Sequence, residues 1–299
     1  QETHKQKYRS EGESFYDACI RGAQPITDDE EHFRAYKDIL LEQKFLPAGR
    51  VQAAVGSPRN VTSYNCFVSG KISDSLNSIM LRAKDAAQTM RLGGGIGFSF
   101  STIRPRGSRI KTLDSPASGA VSFMNIFDAV CSTVSSAGDR RGAMMGVLRI
   151  DHPDIEEFIS VKCNSDKLTN FNLSVGITDE FMQMVMDDGM FSLRFQGKVY
   201  KRVKARALFD KLMRATWDWA EPGVIFIDRI NENNNLYYCE TIECTNPCGE
   251  QPLSPNGACL LGSFNLTKYI VDGAIVIPRD DIRTVVRAYD NIIDYRTYP

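Results

Sequence analysis

Two cysteines and a carboxylate stand in the segment from Thr245 to Leu266, which reads TNPCGEQPLSPNGACLLGSFNL. Cys248 and Glu250 are two positions apart, and Cys259 follows Cys248 by eleven positions. A thiolate is a nucleophile and a metal ligand, two thiols can give up electrons by forming a disulfide, and a carboxylate can move protons. The segment therefore allows three kinds of site: a metal site, a disulfide loop or a redox active site.

Asn246 precedes this pair in the pattern N-x-C-x-E. In an extended segment alternate side chains point to the same face, so amide, thiol and carboxylate would meet one substrate. Pro247 and Gly249 instead favour a tight loop that projects a residue into a cavity. A surface loop with a packed cysteine stays open as the alternative, because a reactive thiol needs an environment that the sequence does not show.

The composition is that of a globular protein without a polymer partner. The chain has 299 residues, 42% of them hydrophobic, which is enough for one large domain or two ordinary ones. Acidic and basic residues number 37 and 36 and are well mixed, so no charge pattern favours nucleic acid or an anionic membrane. The N-terminus is polar, and no stretch approaches the roughly 20 apolar residues of a membrane span. We therefore expect a cytoplasmic protein.

This compartment decides how the eight cysteines are interpreted. A reducing cytoplasm disfavours a permanent disulfide framework and leaves packing and redox chemistry open. The sequence has no C-x-x-C pair, and His4, His32 and His152 lie far from the cysteine-rich segment. Since Cys244 and Cys248 also lack the usual zinc-ligand spacing, we expect no metal site.

Hydrophobic periodicity predicts the elements that must position these residues. Amphipathic helices are predicted over 28–45, 74–92, 118–136, 151–162, 179–188, 205–220 and 279–295. Short β-prone runs lie between them at 66–68, 96–100, 147–151, 168–177, 190–195 and 222–228, and the last of these is interpreted as a buried strand. Strands that recur after helices favour an α/β domain with a largely parallel sheet or barrel.

Two glycine-containing loops carry positive charge. In LGGGIGFSFSTIRPRGSRI, residues 92–110, the triple glycine would let a ligand approach the backbone. Four cationic residues could pair with phosphates, Arg104, Arg106, Arg109 and the following Lys111. The spacing matches neither the dinucleotide fingerprint nor the P-loop, so a helix end followed by a solvated basic loop fits equally well. Arg140 and Arg141 in AGDRRGAMMG form either a phosphate-binding switch or a plain solvated turn.

Several segments match, in order, the signature segments of one enzyme family. They are NCFVSGKISDSLNSI, GGGIGFSFSTIRPRG, RRGAMMGVLRIDHPDIEEFI, NFNLSVGITDEFM, EPGVIFIDRIN and NPCGEQPLSPNGACLLGSFNL. Together they resemble the catalytic subunit of ribonucleotide reductase, over a stretch from about residue 45 to the end. LPAGR, SAGDRRGAMMG and CETIECTNPCGEQPL are similar to the adenosylcobalamin-dependent branch of that family and to its phage relatives.

The resemblance implies an α/β fold and a division of the chain. The family's fold is a ten-stranded α/β barrel made of two antiparallel five-stranded halves, with a finger loop inside that carries the radical cysteine. Residues 61–299 would form the first half of this barrel with its finger loop, after a short helical N-terminal region, residues 1–60, that has no ATP cone. The second half would be missing, so the chain would have little activity alone.

Carried over position by position, the resemblance also assigns the chemistry. Cys248 would form the thiyl radical that abstracts the ribose 3′-hydrogen, and Glu250 would take the 3′-hydroxyl proton as general base. Cys66 would protonate the leaving 2′-hydroxyl and would form a disulfide with Cys259, which supplies two electrons. Asn246 would orient Glu250 and the substrate by hydrogen bonds.

Two nucleotide sites are implied as well. The substrate site would be lined by residues of the active-site region, Asn65, Cys66, Gly95, Asn246 and Glu250. The effector site, where a deoxynucleoside triphosphate tunes base preference, would take residues from one helix start and the two basic loops, Asp74, Arg104, Lys111, Arg140 and Arg141. The last two would pass the effector signal to the substrate.

The implied cofactor is adenosylcobalamin, with a small metal-containing subunit as the alternative radical source. The implied partners are a ribonucleoside di- or triphosphate, the second barrel half, a second copy of the chain, and a reductant of the thioredoxin or glutaredoxin type. Neither nucleic acid nor a membrane is expected as a partner. The compartment would be the cytoplasm, or the host cytoplasm for a phage-encoded chain.

Two other functions stay open. A nucleotide-binding or regulatory module of the same fold would keep the effector site without catalysis, although it would not need Cys66, Cys248 and Cys259 together. A cysteine hydrolase would need a histidine partner, and His152 lies far from Cys248 in sequence.

Overall fold

The structure is a computed structural model that describes residues 2–110, 113–134, 142–163 and 166–295. The helices are α1 (Glu2–Tyr8), α2 (Phe15–Ala23), α3 (Glu30–Leu41), α4 (Gly49–Ala54), α5 (Leu76–Arg91), α6 (Ala120–Thr133), α7 (Ile155–Ser160), α8 (Asp179–Met186), α9 (Ala205–Trp219), α10 (Ile227–Glu232) and α11 (Arg279–Tyr295). The strands are β1 (Phe45–Pro47), β2 (Cys66–Val68), β3 (Gly95–Ser99), β4 (Arg109–Ile110), β5 (Ser115–Pro116), β6 (Met144–Arg149), β7 (Phe171–Ile177), β8 (Met190–Phe195), β9 (Lys198–Lys204), β10 (Gly223–Phe226), β11 (Cys244–Thr245), β12 (Pro252–Leu253), β13 (Ala258–Cys259), β14 (Gly262–Phe264), β15 (Ile270–Val271) and β16 (Ala274–Ile275). Single 3-10 turns occupy Gln24–Ile26 and Leu266–Tyr269.

One sheet organises the fold. Within the described residues it has six strands in the order β10, β7, β6, β3, β2, β13. Strands β2, β3, β6, β7 and β10 are parallel to their neighbours, and β13 is antiparallel to β2. The parallel strands alternate with helices and form half of an α/β barrel, which confirms the predicted fold class.

The two faces of this sheet bury different residues, because successive side chains of a strand point to opposite sides. One row across neighbouring strands belongs to the main core shared with helices α5 to α9, namely Phe67, Ile96, Met144 and Phe171. The adjacent row, which we call the inner row, lies on the opposite face and consists of Val68, Gly97, Met145 and Asn172. The inner row therefore lines the interior of the half-barrel.

The N-terminal helices share a second core with the last helix. Its buried members come from α2, α3, α4 and their connections and from α11, and they include Ile26, Tyr36, Ile39, Val51, Val285, Ala288 and Ile292. The helical N-terminal region is thus observed. The proposed boundary at residue 60 stays a prediction, since α11 follows the half-barrel in sequence but packs on the N-terminal helices.

Two predicted strands differ from expectation. Residues 190–195 form β8, which pairs with β9 in an antiparallel hairpin outside the main sheet. Gln196 and Gly197 both have positive φ, 48° and 78°, as a tight hairpin turn requires, so the glycine was the missed signal. The prediction that 222–228 is a buried strand is wrong, because β10 is an edge strand of the described sheet and Phe226 is 48% exposed.

Candidate active site

The segment that contains Cys248 is the tip of a hairpin. Strands β11 and β12 pair antiparallel, and residues 245–251, from the end of β11 through the connection to β12, are what we call the finger loop. The Gly249 N–H donates to the Asn246 carbonyl at 3.0 Å, and Gly249 has a φ of 82° that favours glycine. The tight loop is therefore observed and the extended alternative is wrong, since Asn246 is fully buried whereas Cys248 and Glu250 are exposed.

The finger loop lies directly on the glycines of β3. A Cβ atom at Gly97 would overlap the carbonyl oxygen of Thr245, and one at Gly95 would lie 2.8 Å from Cγ of Pro247. The glycine run was expected to admit a ligand. At Gly95, and at Gly97 just beyond the run, the absent side chain makes room for the chain's own loop.

Two buried amides beside the loop have an atom without a partner. Asn246 Oδ1 accepts a hydrogen bond from the Gln251 N–H at 3.0 Å, but its Nδ2 has no partner among the described residues. The same holds, within the described ranges, for Oδ1 of Asn65, the residue that precedes β2. A buried polar group without a hydrogen bond costs about 1–3 kcal/mol, so a further hydrogen-bond partner at either atom would be stabilising.

Cys66 and Cys259 face each other across β2 and β13. They are directly paired in the antiparallel ladder, although 193 positions separate them in sequence, and Cys259 Sγ lies 3.7 Å from the Cys66 carbonyl oxygen. A hydrogen bond with the Cys66 side chain, burial and the nearby charge of Glu250 raise the pKa of the Cys259 thiol well above its usual range. Cys259 is therefore held as a protonated thiol beside a second thiol, at the separation of paired strands.

The structure thus brings the predicted active-site residues to one place. Cys66 is paired with Cys259 on one side and with Gly95 on the other. Pro247, the neighbour of Cys248, packs on Gly95. The Glu250 carboxylate is near enough to Cys259 for its negative charge to raise the pKa of that thiol. A thiol pair and a loop with a further thiol and a carboxylate can carry out two-electron reduction coupled to proton transfer.

The predicted effector residues form a separate cluster at the start of α5. Ser75 caps this helix. The Asp74 carboxylate accepts two hydrogen bonds from Arg104, one from the side-chain Nε at 2.8 Å and one from the backbone N–H at 3.1 Å. Arg104 belongs to what we call the basic loop, residues 103–110, in which Arg106 and Arg109 are also paired with carboxylates. Lys111, Arg140 and Arg141 lie outside the described residues.

His152 and Asp154 anchor the basic loop, a role that the sequence did not suggest. The Asp154 N–H donates to Nδ1 of His152 at 3.1 Å, so Nε2 carries the proton and donates to the Ile103 carbonyl at 2.9 Å. The Asp154 carboxylate accepts from the backbone N–H groups of Arg106 and Ala120, each at 3.0 Å. Burial lowers the pKa of His152, which is therefore neutral and engaged with the backbone. It is not available as the base of a cysteine hydrolase.

Two features are absent from the part of the chain that the structure describes. Across residues 2–110, 113–134, 142–163 and 166–295, no group of histidine, cysteine, aspartate and glutamate side chains is arranged to hold a metal ion. In the same ranges no helix has both the length and the apolar character needed to cross a membrane.

Comparisons with known proteins agree with this geometry. The profile of the ribonucleotide reductase barrel domain matches residues 64–299. The vitamin B12-dependent ribonucleoside-diphosphate reductase of Thermoplasma acidophilum is 39% identical over 279 residues, which cover 91% of this chain and 36% of that protein. The enzyme of the same name from Mycobacterium tuberculosis is 40% identical over 269 residues, 88% of this chain and 39% of that protein.

A viral protein is similar as well. The ribonucleoside-diphosphate reductase large subunit of Monkeypox virus is 26% identical over 297 residues, 88% of this chain and 38% of that protein. This chain therefore spans less than two fifths of the length of these relatives. It belongs to the ribonucleotide reductase family and carries part of that family's barrel domain.

Proposed function

We propose that this chain is the part of a ribonucleotide reductase catalytic subunit that carries the thiol chemistry of ribonucleotide reduction. The observation that supports this most directly is the apposition of Cys66 and Cys259 beside Glu250 and the finger loop. A regulatory module that only binds nucleotides would not need this arrangement. Ribonucleoside diphosphates are the proposed substrates, since the similar proteins from Thermoplasma and Mycobacterium are named for them.

Each proposed step is assigned to a residue of this region. A thiyl radical on Cys248 takes the 3′-hydrogen of the ribose, and Glu250 accepts the proton of the 3′-hydroxyl. The Cys66 thiol protonates the 2′-hydroxyl, which leaves as water. The Cys259 thiol then gives its hydrogen to C2′ and forms a disulfide with Cys66, while the second electron and the proton held by Glu250 pass to the oxygen at C3′. Cys248 finally returns the hydrogen to C3′. Overall, a ribonucleotide and two thiols give a deoxyribonucleotide, a disulfide and water.

The two unsatisfied amides would bind the substrate. Asn246 Nδ2 has a hydrogen to donate and Asn65 Oδ1 has lone pairs to accept, so together they suit hydroxyl groups of a ribose. Asn246 also closes the finger loop through Gln251, which links substrate contact to the position of Cys248. Gly95 would line the same site under Pro247.

Adenosylcobalamin is the proposed cofactor, because the relatives with 39% and 40% identity are named as vitamin B12-dependent. The described residues fit such a group, since Cys248 and Gly249 are exposed and Gly249 has no side chain to cover the thiol. When bound, the cofactor would supply the one-electron oxidation that converts the Cys248 thiol to a thiyl radical. A small radical-generating subunit is the alternative source.

Regulation and partners are proposed on the same basis. A deoxynucleoside triphosphate would bind as effector at Asp74 and Arg104, together with Lys111, Arg140 and Arg141. The second barrel half would complete the site next to the edge strand β10, a second copy of the chain would form a dimer, and a thioredoxin- or glutaredoxin-type protein would reduce the disulfide. These reactions would take place in the cytoplasm, of a host cell if the chain is phage-encoded.

Replacement of Cys248 in the full-length protein tests the proposal. We expect Cys248→Ser to lower deoxynucleotide formation to background, because a hydroxyl does not form the radical that starts the reaction. Cys239→Ser is the matched control, since Cys239 is an exposed cysteine outside the site and its loss should leave turnover near that of the parent. Undiminished product formation by Cys248→Ser would refute the function.

A further inference from the structure

Asn172 reaches from the middle of the sheet to the finger loop. Its Nδ2 donates a hydrogen bond to the carbonyl oxygen of Pro247 at 2.7 Å, across 75 positions of sequence. Asn172 lies on β7, and its neighbours Phe171 and Leu173 point to the opposite face, into the main core. Its side chain is thus directed into the half-barrel, away from the core that stabilises the strand.

This bond is one of several contacts between the inner row and the loop. Gly97 of β3 lies under the Thr245 carbonyl, and Met145 of β6 lies 3.7 Å from the position that a Cβ of Gly249 would occupy. Asn172 is paired with Met145 on the next strand. Three members of the inner row therefore contact the loop, and Asn172 provides the directional polar contact among them.

The hydrogen bond from Asn172 matters because its acceptor lies directly before Cys248 in the chain. The Pro247 carbonyl belongs to the peptide group that joins Pro247 to Cys248. Because a peptide group is planar, holding its oxygen also fixes the direction of the Cys248 N and Cα atoms. The Gly249 N–H, bound to the Asn246 carbonyl, restrains the backbone on the other side of Cys248.

We propose that Asn172 is a positioning residue that sets the orientation of the Cys248 thiol. The proposal rests on the proposed function, in which Cys248 must reach one hydrogen of the ribose. A displacement of about 1 Å can lower the rate of a positioned reaction roughly 100-fold. Asn172 contacts the loop backbone and acts only through it, so its loss should change kcat far more than KM.

The test compares Asn172→Asp and Asn172→Ala in the full-length protein. Aspartate has the size of asparagine but cannot donate to the Pro247 carbonyl, so it separates the hydrogen bond from the space that the side chain fills. Asn125→Ala is the matched control, because Asn125 also donates to a backbone carbonyl, that of Ser122, from an exposed position of α6. Thermal unfolding of each variant shows whether it is folded.

Two readouts are needed. The first is the rate at which iodoacetamide alkylates Cys248, followed by peptide mass spectrometry, which reports the loop without any turnover. We expect this rate to rise severalfold in both Asn172 variants and to be unchanged in Asn125→Ala. The second is steady-state kinetics, in which kcat should fall about 10- to 100-fold with little change in KM.

An alkylation rate in Asn172→Asp equal to that of the parent overturns the positioning role, whatever the activity. This outcome is distinct from failure of the proposed function, which would appear as an active Cys248→Ser variant. Alkylation that rises only in Asn172→Ala would also overturn the role, since it would mean that side-chain volume and not the hydrogen bond holds the loop.

Discussion

The finger loop and the basic loop would both face nucleotides in the proposed enzyme, and they are held in different ways. The finger loop packs on glycines of β3 and leaves buried polar atoms of Asn246 and Asn65 without partners in the described residues. In the basic loop the charges of Arg104, Arg106 and Arg109 are all paired with carboxylates of the chain itself.

We interpret the finger loop as a rigid site and the basic loop as a site whose arginines can exchange one anionic partner for another. The finger loop is packed closely on β3, and inserting even one methyl group beneath it would cost about 1–3 kcal/mol or more. A partly exposed ion pair contributes only about 0–1 kcal/mol, so a phosphate can replace the carboxylate partner of an arginine at little cost. The finger loop is therefore built for one geometry, and the basic loop for a contact that a ligand can change.

The largest effect is expected from a methyl group under the finger loop. We predict that Gly97→Ala displaces Thr245 and lowers kcat by roughly 100-fold or more, because the added Cβ overlaps a backbone oxygen that cannot rotate away. Steady-state assay of the full-length protein measures this effect.

Gly176→Ala is the matched control for that change. It lies on β7, and a Cβ there would have its nearest neighbour at 3.7 Å, an ordinary contact. Equal activities of the two variants would show that the finger loop is not held by close approach to β3. The proposed difference in rigidity between the finger loop and the basic loop would then be wrong.

A smaller and selective effect is expected from the basic loop. Asp74→Asn removes the carboxylate that pairs with Arg104, and we predict that it weakens the stimulation by a deoxynucleoside triphosphate about 5-fold, at the lower end of the usual range of coupling between sites. The free energy of unfolding should change by less than about 1 kcal/mol, since the pair is partly exposed. Effector titrations and urea unfolding measure the two quantities. A variant with the parent's effector response would remove Asp74 from the effector site.

The smallest effect concerns the pH dependence of stability through His152. Burial lowers its pKa in the folded state, while Asp154, Asp151 and the Ile103 carbonyl oppose that shift only in part. The unfolded histidine has a pKa of about 6.5, so the unfolded state binds protons first as the pH falls. The contribution of neutral His152 to the free energy of unfolding is complete above about pH 6.5. Below that pH it declines, by at most about 1.4 kcal/mol per pH unit.

Comparison of the parent with His152→Gln isolates this contribution. We expect the free energy of unfolding of the parent to fall more steeply between pH 7 and pH 5.5 than that of the variant. Unfolding curves that run parallel over this interval would show that His152 is not held neutral in the fold.

The sequence predicted local structure better than it predicted the contacts of the site. The order of helices and strands followed from local hydrophobic periodicity, which is present within each segment. The contacts of the site join distant residues, as in Cys66 with Cys259 and Asn172 with Pro247, so no local pattern could reveal them. The cysteine pairing was implied only by the family resemblance, and Asn172 and His152 were not assigned by either route.

At two places the prediction from local sequence missed a partner that lies elsewhere in the chain. The glycines of β3 were correctly seen to permit close approach, but the approaching group is a loop that follows about 150 residues later in the chain. The arginines of the basic loop were predicted to pair with phosphates, which stays a prediction, and the fold supplies each with a carboxylate that sequence spacing does not show.

Disulfide mapping after turnover tests the central assignment most directly. The reduced full-length protein is mixed with ribonucleoside diphosphate and cofactor without an external reductant, quenched with an alkylating agent, digested, and analysed by mass spectrometry. We predict a Cys66–Cys259 disulfide that forms in proportion to the deoxynucleotide, with Cys248 recovered as an alkylated thiol. Product formed while Cys66 and Cys259 both stay reduced would contradict this account.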